Sequence, residues 1–248
     1  MNERIAIVTG GIGGLGTEIC KSLARGGRKV IAADLAARSE RIDEFRREVA
    51  EFGAAIAFEP LDVADRDACA DLAQRVAAQH GAVSILVNSA GITRDTSLRK
   101  MDGAQWDDVI RINLGGIFNM CRVLVDGMTA QGFGRIVNIS SVNGQTGQFG
   151  QTNYSAAKAG VHGFTMALAR EVARKGVTAN SISPGYCDTP MVRAVPDEIR
   201  QQIVASIPVG RLGEPREIAR TVAFLADDDA GYITGANIPV NGGYFVSF

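Results

Sequence analysis

Short apolar runs alternate with longer amphipathic ones along the whole chain. Residues 5–8, Ile-Ala-Ile-Val, are apolar throughout, the mark of a strand covered on both faces. A helical repeat over 15–24 follows. Further strands are predicted at 29–34, 54–59, 83–87, 135–139, 177–183 and 236–240. Helical patterns separate them at 39–52, 66–80, 104–130, 156–173 and 214–227. Asp65 can cap the second of these, and Asp102 or Gly103 stands near the start of the third. Residues 189–206 read as one or two small helices in an insertion. No linker interrupts the alternation. It predicts one α/β domain over 1–248, a doubly wound parallel sheet between two helix layers with right-handed crossovers. Ligands of such sheets sit beyond the carboxyl ends of the strands.

Two stretches at those ends carry chemistry. The first strand runs into Thr9-Gly10-Gly11-Ile12-Gly13-Gly14-Leu15-Gly16 and then a helix. Glycines let the backbone approach a pyrophosphate, and the helix N-terminus presents unpaired N–H groups. Asp34 ends the second strand, 20 residues after Gly14, where a carboxylate can accept from ribose hydroxyls. The other stretch runs from Ser140 to Lys158. Tyr154 and Lys158 are four apart and share a helix face. An ammonium beside a phenol favours the phenolate, so Lys158 is expected to lower the pKa of Tyr154 and make it a general acid or base.

Thr9-Gly10-x-x-x-Gly14-x-Gly16, Asn88-Ser89-Ala90-Gly91, Asn113, Ser141, Tyr154-x-x-x-Lys158 and Pro184-Gly185 together resemble the classical short-chain dehydrogenases/reductases. Within that family the chain is most similar to the acetoacetyl-CoA reductases of polyhydroxybutyrate synthesis. Gly91-Ile92-Thr93-Arg94-Asp95, residues 140–158 and 162–169, and Ser183-Pro184-Gly185-Tyr186 carry that likeness. The resemblance implies a Rossmann-type fold and a catalytic set of Asn113, Ser141, Tyr154 and Lys158. Tyr154 would protonate the carbonyl oxygen as hydride arrives. Lys158 would hold the nicotinamide ribose, Ser141 the substrate carbonyl, and Asn113 a water chain. A buried amide in a helix kink is the alternative for Asn113, and both readings can hold at once. Ser140 reads as structural.

The same resemblance sets the cofactor against Gly10, Gly13, Gly14, Leu15, Gly16, Asp34, Asp62, Val63, Asn88, Ala90, Gly91, Tyr154, Lys158, Pro184, Gly185 and Thr189. Asn88 reads more as a tie between strands. Asp62 is equally a capping residue, and Thr189 a cap with Pro190 in the first turn. Asp34 departs from the acetoacetyl-CoA reductases, which are usually NADPH enzymes without a carboxylate here. NAD(H) is therefore the expected cofactor and NADP(H) the second reading. Arg38 and Arg41 could reach a 2′-phosphate, but read as solvated charges. Asp95, Ser141, Gln148, Phe149, Gln151, Tyr154 and Tyr186 would line the acyl pocket, with amides for the thioester and an aromatic wall, under a lid at about 189–207. Cys187 reads as a small apolar filler, Trp106 and Met101 as core, and His80 and His162 as incidental.

Composition narrows the classes. The net charge of −1 gives no sign of a nucleic-acid partner, and no apolar run approaches the ~20 residues of a membrane span. The first residues lead directly into a strand, which predicts no signal peptide. Cys20, Cys69, Cys121 and Cys187 lie far apart and form no metal-like pair, so a reduced cytoplasmic protein without metal is expected. An acyl-CoA thioester is the expected substrate. A 3-oxoacyl-acyl-carrier-protein reductase shares nearly every motif. Relatives of that kind often place a basic docking residue just before Gly134-Arg135, where this chain has Gln131-Gly132-Phe133 with only Arg174 and Lys175 nearby. A sugar or steroid alcohol dehydrogenase and a catalytically silent dinucleotide sensor are the remaining readings. The family commonly forms tetramers through two long helices and the C-terminal strand, and Phe245 and Phe248 fit such an interface.

Overall fold

A computed structural model describes residues 4–193 and 195–246. Its strands are β1 (Ile5–Thr9), β2 (Lys29–Asp34), β3 (Ile56–Pro60), β4 (Val83–Asn88), β5 (Gly134–Ile139), β6 (Val177–Pro184) and β7 (Asn237–Val240). They form one parallel sheet in the order β3-β2-β1-β4-β5-β6-β7. The principal helices are α1 (Gly14–Arg25), α2 (Ser39–Glu48), α3 (Arg66–His80), α4 (Gly103–Ile110), α5 (Gly116–Gln131), α6 (Asn143–Thr146), α7 (Thr152–Val172), α8 (Pro190–Arg193), α9 (Asp197–Ser206) and α10 (Pro215–Leu225). The expected Rossmann-type arrangement is present.

The apolar run Ile5–Val8 of β1 divides its side chains by strand alternation. Ala6 and Val8 pack with Ile19 and Leu23 of α1 and Val222 of α10. Ile5 and Ile7 face the other layer, with Leu72 of α3, Met120 of α5 and Val161 of α7. Both faces are buried, so the strand stays apolar until Thr9 at its carboxyl end, whose hydroxyl is hydrogen-bonded. The chain winds outward from β1 to β3, then crosses back to β4 on the other side of β1. That reversal opens a crevice at the carboxyl ends of β1 and β4, where the two chemical stretches meet.

Several boundaries differ from the periodicity. The helix expected at 39–52 stops at Glu48, and a 3₁₀ turn over Ala50–Ala55 delays β3 to Ile56. The helix expected at 104–130 is broken by a π turn at Arg111–Gly115. Asp102 and Gln105 close a capping box at its start. α7 begins at Thr152, four residues before the expected start, so Tyr154 lies within its first turn. Glu214 and Glu217 form a capping box with Pro215 in the first turn, which confines the last helix to Pro215–Leu225. Trp106 is not core: it is 39% exposed on α4. Met101 is half-buried. Phe245 is half-buried, and Phe248 lies outside the described residues. Among those residues no helix is long and apolar enough to cross a membrane.

Candidate active site

The first two turns of α7 carry the reactive pair. Lys158 is only 4% exposed, and its Nζ donates to the Ile139 carbonyl at 2.8 Å. Nζ lies 5.6 Å from the centre of the Tyr154 ring. Burial lowers the Lys158 ammonium to about 8. The Tyr154 phenol is raised rather than lowered: burial is the largest cause, a hydrogen bond from Ser141 opposes it, and the Asp95 carboxylate adds to the rise. This corrects the expectation that Lys158 depresses it. The ammonium is turned to the Ile139 carbonyl, and desolvation of the phenolate outweighs it. A protonated phenol suits proton delivery.

Ser141 sits just past β5. Its Oγ accepts the Asn143 N–H at 3.1 Å, which leaves its own proton available to the Tyr154 oxygen or to a carbonyl placed beside it. Asn143 Nδ2 donates to Gln151 Oε1 at 2.8 Å, and Gln151 Nε2 donates to Asp95 Oδ2 at 2.7 Å. Expected pocket residues Asp95 and Gln151 are thus linked to Ser141 through Asn143. Asn113 lies fully buried in the π turn. Its Oδ1 accepts the Ile92 N–H and its Nδ2 donates to the Ile92 carbonyl, both at 2.8 Å. The amide therefore satisfies backbone groups at a helix irregularity, as its alternative reading held. It also stands at the site: a Cβ on Gly91 would meet Asn113 Oδ1 at 2.7 Å and Lys158 Nζ at 3.7 Å.

Across the crevice, Gly10 has a φ of +64°, and a Cβ there would lie 2.8 Å from the Ala90 backbone. Both features demand glycine. Thr9 Oγ1 accepts the N–H groups of Ser89 and Ala90 at 3.1 and 3.2 Å, locking the end of β1 to the end of β4. Gly13 caps α1 with no side-chain partner for the first-turn N–H groups, and Leu15 packs partly buried behind them. A Cβ on Gly14 would touch Thr189 and Pro190, and one on Gly16 would collide with Gly10, so the turn leaves backbone exposed where side chains would fill. Gly185 follows β6 and bonds back to the Val240 carbonyl. These residues fit a dinucleotide pyrophosphate. Gly10→Ala is expected to destabilise the fold by about 1–3 kcal/mol and to weaken nucleotide binding, read by denaturation and by nucleotide fluorescence titration.

Asp34 is 8% exposed and already engaged. Its Oδ1 accepts the Leu35 N–H at 2.9 Å, and Arg38 reaches both carboxylate oxygens at 3.1 and 3.2 Å. Arg41 donates to the Ile12 carbonyl, Thr17 and Glu48. Arg38 is exposed, as a solvated charge was expected to be, but is paired with Asp34, while Arg41 is half-buried and paired with Glu48. Asp62 is exposed and accepts the Ala64 N–H in its own turn, while Asp65 caps α3. Val63 is buried, and its carbonyl accepts from Asn119. Asn88 ties β4 to β5 through Asn138 at 2.8 Å, as its strand-tie reading held.

On the substrate side, Tyr186 meets Tyr244 edge-on at 5.5 Å, and its phenol is raised by burial, by Tyr244 and by Asp95. Gln148 is exposed, and Phe149 is 90% exposed. Gly147 and Gly150 flank that stretch with positive φ, and the Gly150 carbonyl accepts the Thr96 N–H at 2.8 Å. Cys187 is buried filler, with burial pushing its thiol up to about 12. Gln131-Gly132-Phe133 and Arg174–Lys175 sit at the amino ends of β5 and β6, the opposite edge from Tyr154. Within one chain they say nothing about docking at the pocket.

The chain matches, over residues 10–245, a family model described as enoyl-(acyl carrier protein) reductase. It is 54% identical to an acetoacetyl-CoA reductase of Allochromatium vinosum, over 98% of this chain and 99% of that one. It is likewise 54% identical to an acetoacetyl-CoA reductase of Rhizobium meliloti, with the same coverage. A 3-oxoacyl-[acyl-carrier-protein] reductase of Pseudomonas aeruginosa is 43% identical over 100% of this chain and 99% of its own. The chain is a short-chain dehydrogenase/reductase. As a member of that family it is an oxidoreductase that uses a nicotinamide dinucleotide at a CH-OH/C=O group.

Sequence reading of this short-chain dehydrogenase/reductase missed three residues. Thr9 and Asn143 lay inside the quoted motifs, but nothing in the string says that a hydroxyl bridges two strands or that an amide links Ser141 to Gln151. His162 was expected to be incidental. It follows Lys158 by four residues on the Tyr154 face, a spacing that could have flagged it, and it is hydrogen-bonded to two serines.

Proposed function

We propose that this enzyme is an acetoacetyl-CoA reductase, reducing the ketone of a short 3-oxoacyl-CoA to the (R)-3-hydroxyacyl-CoA. The carrying observation is the continuous set Tyr154, Ser141, Asn143, Gln151 and Asp95, which joins the proton donor to amides suited to a thioester. Relatives named for that reaction, similar along nearly the whole chain, support it. A nicotinamide dinucleotide in the glycine cradle supplies the hydride. Ser141 donates to the ketone oxygen, and Tyr154 delivers a proton to it. Lys158 holds positive charge beside that oxygen and reaches the nicotinamide ribose. Ala90, Gly91, Pro184, Gly185 and Thr189 close the cofactor groove, Asp62 and Val63 stand by the adenine, and α8 and α9 form the lid at about 189–207. α9 has no buried residue, which suits a cover.

The test is initial rates on acetoacetyl-CoA and on acetoacetyl-carrier protein, each with NADH and NADPH. Fast turnover of the CoA ester and slow turnover of the carrier protein support the proposal. The reverse moves the chain to fatty-acid synthesis, a reading that the 43% identical carrier-protein reductase keeps in play. NAD(H) is the cofactor we favour, because Asp34 presents a carboxylate to the ribose and holds Arg38 to itself. NADP(H) is the second reading and requires Arg38 to swing away. Asp34→Ser is expected to shift preference toward NADPH by roughly 10–100-fold, measured as the ratio of kcat/KM values. An unchanged ratio would remove Asp34 from cofactor choice.

Four buried cysteines held well above their ordinary pKa suit a reducing cytoplasm. A homotetramer supplying polyhydroxybutyrate synthesis completes the reading. Exposed Trp106, Phe118 and Met166 on α4, α5 and α7 give it a surface to cover, and sedimentation equilibrium tests it.

A further inference from the structure

One more polar residue lies on the Tyr154–Lys158 face of α7, one turn beyond Lys158. The Nε2 of His162 lies 2.8 Å from Ser140 Oγ and 3.1 Å from Ser183 Oγ. Both serines are buried. Their protons are already placed. Ser140 donates to the Lys158 carbonyl at 2.8 Å, and a carbonyl can only accept. Ser183 donates to Asn237 Oδ1 at 2.9 Å, and Ser181 donates to the same oxygen at 2.9 Å. Each hydroxyl has one proton, so neither serine has another to give Nε2. With the serine protons so assigned, Nε2 is the atom that carries a proton and shares it between the two serine oxygens.

The positions of those serines give the arrangement its use. Ser140 precedes Ser141, which holds the substrate carbonyl. Ser183 precedes Pro184-Gly185, which flanks the cofactor groove. The Lys158 carbonyl belongs to the catalytic lysine itself. One ring N–H therefore joins the end of β5, the end of β6 and the middle of α7, the three segments whose relative placement sets the distance from Ser141 to Tyr154 and Lys158. Burial and the neighbouring Lys158 ammonium both disfavour the imidazolium, so the ring stays neutral with Nδ1 bare.

We infer that His162 is a positioning residue, held as the Nε2–H tautomer and clamping Ser140, Ser183 and the Lys158 carbonyl behind the catalytic set. Its catalytic consequence rests on the reductase reading above, but its tautomer does not. The experiment has two arms on the full-length protein. The first is ¹⁵N-edited NMR of the ring nitrogens at neutral pH. Only His80 and His162 are present, and His162→Gln assigns the signals. A proton on Nε2 is expected, and a proton on Nδ1 overturns the inference. The second arm compares steady-state kinetics of His162→Leu and His162→Gln. Leu has no donor and is expected to lower kcat by about 10–100-fold with both KM values nearly unchanged, while Gln, whose amide can donate from a similar reach, restores most of it. Equal activity of the two variants, or a fall that follows lost folded fraction alone, overturns it. Should the Leu variant not fold, Ser140→Ala takes its place: it removes one acceptor and should lower kcat in the same direction. A wild type inert on every ketone would sink the reductase proposal and leave the NMR arm to decide on His162.

Discussion

Tyr154→Phe is expected to lower turnover of a 3-oxoacyl thioester by about 10²–10⁴-fold while leaving nucleotide binding intact. The phenol is hydrogen-bonded with Ser141 and stands on the same helix face as Lys158, so it is the group placed to give up a proton. Phenylalanine keeps the ring and its packing on α7, so what is lost is the hydroxyl, with its proton and its hydrogen bond to Ser141. Nucleotide fluorescence titration beside steady-state rates separates the two effects. Intact turnover in the variant would mean that Ser141 or solvent is the acid. Loss of turnover with binding kept also rules out a silent dinucleotide sensor. The raised phenol pKa sets the pH dependence. Ketone reduction needs the protonated form, so it should hold through neutral pH and decline only in alkali. Alcohol oxidation needs the phenolate and should rise over the same range.

Lys158→Met is expected to remove activity and yet to leave the fold as stable as before or more so. Burial brings the ammonium from its ordinary 10.5 down to about 8, so keeping it charged at neutral pH costs the fold on the order of 3 kcal/mol. Methionine fills similar volume without that charge. The Ile139 carbonyl loses its 2.8 Å donor, which costs about 1–3 kcal/mol in return. The pH dependence identifies the cause. Between about 8 and 10.5 the unfolded chain binds a proton that the folded chain has released, so wild-type stability rises with pH across that window. Any advantage of the methionine variant over the wild type should therefore be largest below pH 8 and fade toward 10.5. Denaturant midpoints at several pH values measure it, and a variant destabilised equally at every pH would show that burial of the charge carries no cost.

The same pair of residues marks where sequence reading stops. That Tyr154 and Lys158 share a face follows from a period of 3.6, and it held. What their nearness does to the phenol did not follow, because it depends on how dry the site is and on which way Nζ points. The helices show the same division. The repeat over 104–130 was legible as helix, but not the π turn at Arg111–Gly115, because one inserted residue shifts the pattern too briefly to read, while the fold places Asn113 of that turn against the Ile92 backbone. Phe149 was placed in the acyl pocket by resemblance, and its 90% exposure in the folded chain was not legible from its apolar character.

By itself the sequence determined the alternation of strands and helices, the doubly wound sheet, the glycine turn before α1 and the catalytic spacing on α7. These depend on local periods and on backbone freedom, which neighbouring residues encode. The tertiary structure alone decided the two serine partners of His162, the link from Asp95 through Gln151 and Asn143 to Ser141, the pairing of Arg38 with Asp34, and the direction of the Tyr154 and Lys158 shifts. Each of these depends on partners brought together from distant segments or on the water a fold excludes, and neither distance in space nor dryness is written in the order of residues.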